Sequence, residues 1–139
     1  YNQGNRIGIT KRFYENGNIW YEGSYIKLDN NEDGWHGLKT NYYESGNIEY
    51  TQYWEIGKRH GEYKKFFDIS GNIEWLYNYE YDKRTGITTR FYENGNIWYE
   101  GGVITDNEGE SQWHGIYKSY NKDGKLTETL EYEYGTQIN

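Results

Sequence analysis

The sequence contains no cysteine and no methionine, and its lysines and arginines never gather into a run. Without cysteine there is no disulfide frame and no thiolate metal site, and the redox compartment stays open. No apolar stretch approaches the ~18 residues of a membrane-spanning helix, so membrane insertion is not expected. The chain opens at Tyr1 with no apolar leader and reads as a trimmed or processed piece. Its formal net charge of −7 would meet a nucleic acid backbone or an anionic bilayer with repulsion, so neither is expected as a partner.

Mean hydropathy is strongly negative, which taken alone would suggest disorder. Aromatic content rejects that. Six Trp, 18 Tyr and four Phe make up 20% of 139 residues, far more than disordered segments carry. Tyrosine packs its ring while its hydroxyl stays wet, which suits a thin structure of half-buried side chains rather than a thick core.

The stretch RFYENGNIWYEG occurs twice, at Arg12–Gly23 and Arg90–Gly101, and it belongs to a looser series. Short turns recur at Gly17, Gly46, Gly71, Gly95 and Gly124, with spacings of 29, 25, 24 and 29 residues. A second glycine precedes each by nine or ten residues, at Gly8, Gly37, Gly61, Gly86 and Gly115. The two longer intervals carry polar additions at Asp29–Gly34 and Asp106–Ser111, read as connecting loops. Five repeats result, at approximately 8–35, 36–59, 60–84, 85–113 and 114–139, within one domain spanning 1–139. Residues 1–7 align with 54–60 and read as the remnant of an upstream repeat.

Asn-Gly between runs rich in Phe, Tyr, Trp and Ile is a strong hairpin signal, because a type I′ turn needs positive φ at both central residues. A two-residue turn at Asn16-Gly17 pairs Phe13 with Trp20, Arg12 with Tyr21 and Lys11 with Glu22. Pleat alternation then puts Arg12 and Tyr21 on one face and Phe13, Trp20, Lys11 and Glu22 on the other. A lone hairpin is marginal in water, so the expected fold is all-β: an elongated antiparallel meander sheet of five stacked hairpins, without helix.

The stretch GKRHGEYKKFFDISGNIEWLYNYEYDKRTG, Gly57 to Gly86, resembles the variant MORN repeat of bacterial proteins. Its marks are the His-Gly opening, paired aromatics five and six residues later, the turn glycine and an Ile or Leu two residues beyond. The fifth repeat departs, with Leu126 for Ile and Asn121 for the second aromatic. The resemblance covers essentially the whole chain. It implies a single sheet of hairpins with an aromatic-lined groove and no enzymatic activity. It also implies an interaction module, similar in some members to antitoxins or immunity proteins.

Three histidines, His36, His60 and His114, raise the question of a metal. Equivalent positions in neighbouring hairpins lie about 9.6 Å apart, whereas zinc ligands sit ~2.0–2.1 Å from their ion. A structural role beside the repeat glycine is expected, with no metal and no cofactor. Asp29-Asn30-Asn31-Glu32-Asp33-Gly34 fits half of a calcium loop, but Thr40 holds the place of the bidentate Glu; a solvated loop is the reading, with weak calcium binding as the alternative. Glu15, Glu44 and Glu93 are spaced too far apart on a rim for paired acid–base chemistry, and no nucleophilic triad or phosphate loop is present, so no enzyme is expected.

A one-layer sheet cannot cover both of its own faces, and exposed aromatic residues on a rigid sheet are what protein interfaces use as anchors. The candidate binding residues are Phe13, Trp20, Tyr21 and Trp35, with their duplicates Phe91, Trp98, Tyr99 and Trp113. The expected function is a non-catalytic protein-binding module whose partner is another protein, a toxin domain being the sharper expectation. The alternative is a surface-exposed binder of carbohydrate or a cell-wall ligand.

Overall fold

The computed structural model describes residues 6–138. They form one open sheet of eleven strands in chain order, every neighbouring pair antiparallel. The strands are β1 (Arg6–Phe13), β2 (Ile19–Lys27), β3 (Asp33–Tyr42), β4 (Ile48–Glu55), β5 (Lys58–Phe66), β6 (Ile73–Glu80), β7 (Lys83–Phe91), β8 (Ile97–Thr105), β9 (Ser111–Tyr120), β10 (Leu126–Glu133) and the two-residue β11 (Thr136–Gln137). No helix occurs among the described residues, and so none that is long and apolar enough to cross a membrane. Most of the segment read as an upstream remnant, residues 1–5, lies outside the described residues.

A single layer buries little. Ile26 and Val103 are the only buried apolar side chains among the described residues, each still 7% exposed, and the largest fully buried side chains are Gln52 and Thr88. Stability therefore comes from each hairpin resting on the next, as in other repeat arrays.

The Asn-Gly turns are not type I′. Tyr14 N donates to Asn18 O and Gly17 N donates to Tyr14 O, at 2.8 and 3.0 Å, and only Gly17 of the pair has positive φ. This is a three-residue loop closed by a glycine in the left-handed region, the second favoured hairpin geometry. It recurs at Tyr43–Asn47, Tyr92–Asn96 and Asn121–Lys125, while Phe67–Asn72 is one residue longer. The extra loop residue shifts the pairing beside the turn, so Phe13 faces Ile19 and a bulge restores Arg12 to Tyr21 and Lys11 to Glu22. Trp20 is thereby turned to the side of Tyr21, 5.1 Å from its ring centroid, instead of the opposite face.

Type I′ turns exist at the other end of the hairpins, where no Asn-Gly announces them. Ile56-Gly57, Tyr81-Asp82 and Tyr134-Gly135 all have positive φ at both positions. Each is docked onto the start of the hairpin that precedes it. His36 Nδ1 accepts from Ile56 N, His60 Nδ1 from Tyr81 N and His114 Nδ1 from Tyr134 N, at 3.1, 3.2 and 3.2 Å. The residue before each histidine completes the grip, Trp35 O, Arg59 O and Trp113 O accepting from Gly57, Asp82 and Gly135 N. Repeats opening with Ile7-Gly8 and Thr85-Gly86 lack the histidine, and their hairpins lead instead into the longer polar connections.

Those connections are shorter than the sequence suggested. Leu28 N to Glu32 O and Asp106 N to Glu110 O close three-residue loops, and the remaining added residues lengthen the strands. Gly34, which a calcium loop would place at its sharp turn, pairs with Ile26 inside β3, and Asp33 forms an ion pair with Lys27 at 3.1 Å. Among the described residues no group of three carboxylate or imidazole side chains is placed to hold a metal ion.

Ile56 is a β-branched residue at φ 48°, a conformation that costs such residues of order 1 kcal/mol or more. Its side chain is exposed, and the turn is held through its backbone amide. Ile56→Asn creates an Asn-Gly turn of the geometry already present and is expected to raise the unfolding free energy by about 0.5–1 kcal/mol, read from the denaturant midpoint.

Candidate binding face

Strand alternation sorts the side chains into two faces. One carries Tyr21, Trp35, Lys39, Tyr50, Gln52, Tyr63, Tyr77, Trp75, Arg90, Tyr99, Trp113 and Tyr117, which oppose one another or lie on adjacent register positions. The other presents Ile9, Leu38, Tyr53, Ile87 and Ile116 as exposed, separated apolar residues.

On the first face the rings form a ladder that runs across the strands. Trp20, Tyr21 and Trp35 meet edge to face at 5.1 and 5.7 Å between centroids. Tyr50, Tyr63 and Tyr77 stack at 5.4 and 4.5 Å, and Trp75, Tyr99 and Trp113 continue edge to face at 6.0 Å each. Tyr117 stacks on Tyr99 and reaches Tyr132. Such contacts add about 0.5–1.5 kcal/mol each beyond the area they bury. Gly23 and Gly101 make room for the indoles: a Cβ on Gly101 would stand 2.8 Å from the Trp113 ring, and one on Gly23 3.0 Å from Trp35.

Where the ladder is interrupted, cations fill the gap. Lys39 Nζ lies 4.8, 4.9 and 6.0 Å from the rings of Tyr21, Trp35 and Tyr50, and burial holds its pKa below the usual value. Arg59 covers Tyr79 at 4.3 Å, Arg84 covers Tyr77 at 4.0 Å, and Arg90 lies between Trp75 and Trp98 at 4.7 and 4.3 Å. Burial raises the phenol pKa of Tyr77 to about 12 and pushes Tyr63 up as well, its neighbours Tyr77 and Tyr50 adding to the effect. Tyr42 is raised to about 12 by burial and by donating to the Glu22 carboxylate at 2.7 Å.

The residues singled out in the sequence fall into two equivalent clusters. Trp20, Tyr21 and Trp35 meet in one, Trp98, Tyr99 and Trp113 in the other; Trp20 and Trp98 are 45% and 38% exposed. Phe13 is largely exposed beside the first turn, and Phe91 lines a hollow with Arg90, Tyr92 and Trp98. Sequence reasoning passed over the central rings Tyr50, Tyr63, Trp75 and Tyr77 and the four stacked cations. Tyr50 and Trp75 occupy the place of Tyr21 in their own repeats, a signal present in the alignment of the turns.

Much of the duplicated stretch is occupied in joining repeats. Tyr14 and Tyr92 hydroxyls donate to Tyr42 O and Tyr120 O, and Asn18 and Asn96 Nδ2 donate to Glu44 O and Lys122 O in the next turn. Asn47 and Asn72 reach Asp68 O and Glu93 O in the same way. The fifth turn uses these positions locally, Asn121 Oδ1 accepting from the amides of Asp123 and Lys125.

The family model described as MORN repeat variant matches residues 6–27, 35–55, 84–102 and 113–134, more than half of the chain. The chain belongs to the MORN repeat variant family. The hairpin of β5 and β6 lies between matched stretches and has a turn one residue longer, yet it pairs and receives the following turn through its histidine as other MORN hairpins of the sheet do. Neither the curated proteins nor the solved structures contain a significant match.

Raised phenol pKa values mean that the folded state holds these protons longer than the unfolded chain. Their contribution is complete below the ordinary phenol value near 10 and is lost as pH climbs toward 12. Stability should therefore be flat up to about pH 9 and fall above about pH 10. Absorbance near 295 nm should show the buried phenols ionising together with loss of near-ultraviolet circular dichroism, not before it.

Proposed function

We propose that this MORN module is a non-catalytic protein-binding device and that its partner lies across the ring ladder. The observation that carries the reading is a row of Tyr and Trp, interleaved with Lys39, Arg59, Arg84 and Arg90, on a sheet face that no second layer covers among the described residues. Aromatic residues and arginine dominate the energetics of protein interfaces, and here they are pre-ordered by stacking, which lowers the entropy lost on association. The similarity of some members of the family to antitoxin and immunity proteins makes a toxin domain the first partner to test. A rival reading, a carbohydrate or cell-wall ligand, is favoured by the exposed indole of Trp20, on which a sugar ring can stack.

Titration of tryptophan fluorescence with candidate toxin domains and with glycans separates the two. A saturable response to proteins is expected; a response to a sugar and none to proteins overturns the reading. Trp20→Ala and Trp98→Ala, singly and together, should leave circular dichroism unchanged and weaken partner binding by roughly tenfold or more each, as interface anchors do. If both single variants and the double bind like the parent, the duplicated stretch is scaffold and the contact lies elsewhere on the ladder.

A further inference from the structure

We propose that the hollow formed by β6–β9 and the β10–β11 turn receives a carboxylate side chain from an acidic segment of the partner protein, with Arg84 as its counter-ion. The proposal rests on the protein-binding reading above. The hollow measures about 590 Å³ and is walled by Trp75, Tyr99 and Trp113, with Arg84, Ser111 and Gln112 among its polar groups.

The protein itself supplies the comparison. Arg59 holds the equivalent place one repeat earlier, and there the following type I′ turn brings Asp82 to it. Asp82 Oδ1 accepts from Arg59 Nε at 3.0 Å and from its backbone amide at 2.8 Å, while Nη1 reaches the Tyr79 hydroxyl. Arg84 also stacks on a tyrosine, but its hairpin leads into the longer 106–110 connection, and no carboxylate arrives. Nη2 donates to Thr88 Oγ1 at 2.6 Å and Nε is shielded without a partner. Asp106, the carboxylate bonded to Gln112 of the hollow, is consumed by its own loop: one oxygen accepts from the amides of Glu108 and Glu110, the other from Gln112 Nε2. A half-buried guanidinium beside rings, with no counter-ion among the described residues, is matched by a Glu side chain, whose methylenes fit the aromatic walls and whose carboxylate supplies what Asp82 supplies to Arg59.

The first copy of the duplication points the same way. Its hollow, about 310 Å³, is lined by Tyr25, Asp33 and Gly34 where the second has Val103, Ser111 and Gln112. The exchange of Tyr25 for Val103 removes a ring, and that of Asp33 for Ser111 removes a carboxylate from the rim. The second hollow is therefore less hostile to an anion, and it is also the larger, being walled in addition by Trp75 and by the turn at Tyr134-Gly135.

The test uses two capped pentapeptides, acetyl-Gly-Glu-Leu-Glu-Gly-amide and its Gln-for-Glu counterpart, followed by tryptophan fluorescence and by the NMR signals of the Trp indoles and Arg84 Nε–Hε. The Glu peptide should bind roughly tenfold tighter or better and move the Arg84 and Trp113 signals. Arg84→Gln and Ser111→Asp should each abolish that preference. Ser111 is exposed on the rim, so Ser111→Asp decides the matter if Arg84→Gln fails to fold. Equal binding of the two peptides, or a preference that survives Ser111→Asp, overturns carboxylate recognition and leaves the protein-binding reading standing. Silence toward both peptides also overturns the proposal, and silence joined to saturable binding of trigalacturonate removes the protein-binding reading with it.

Discussion

A sheet one layer thick has nothing above or below it to satisfy its side chains, so every repeat must be completed by the next. The hydroxyl of Tyr14 ends on the backbone of β3, the amide of Asn18 on the following turn, and the imidazole of His36 on the turn after β4. These bonds span 20–28 residues and recur at equivalent positions of several repeats. What looks like a motif of one hairpin is therefore a list of the groups that leave it. With only Ile26 and Val103 buried among the apolar side chains of the described residues, those crossings and the stacked rings do the work that a core does elsewhere.

The same constraint explains what could be read from the sequence. Turn glycines, aromatic runs and their spacing specify hairpins and their order, because each signal is local. Turn type was harder. Asn-Gly serves a two-residue turn and a three-residue loop alike, and only the bulge that follows decides that Trp20 joins Tyr21. The true type I′ turns at Ile56-Gly57 and Tyr81-Asp82 have weak or no local signature, since an imidazole and a carbonyl one repeat away impose them. The stacked cations were invisible for a related reason: whether Arg84 or Lys39 lies over a ring depends on cross-strand register, which a scattered charge pattern does not disclose.

Charge is also distributed in a way that net charge hides. The chain is acidic overall, yet the guanidinium groups of Arg59, Arg84 and Arg90 lie over rings on one face, and Lys39 lies among other rings of the same row. An arginine fixed by stacking has already lost much of its rotamer freedom, so it can be matched by an anion at lower cost than a free surface lysine. That gives the ladder directionality: rings supply area, and the cations state where along the row a negative group is wanted.

The correlation between histidine and connection length has an architectural consequence. A His before the repeat glycine commits the junction two strands later to a two-residue turn, because the imidazole is built to receive that turn's amide and nothing longer. Junctions opened by Ile7 and Thr85 carry no such commitment and are the ones that accommodate extra residues. Loop grafting in this scaffold thus has addresses written one hairpin upstream: foreign segments belong after β2 and β8, whereas insertion after β4, β6 or β10 would strand a histidine and loosen the joint it was made to close.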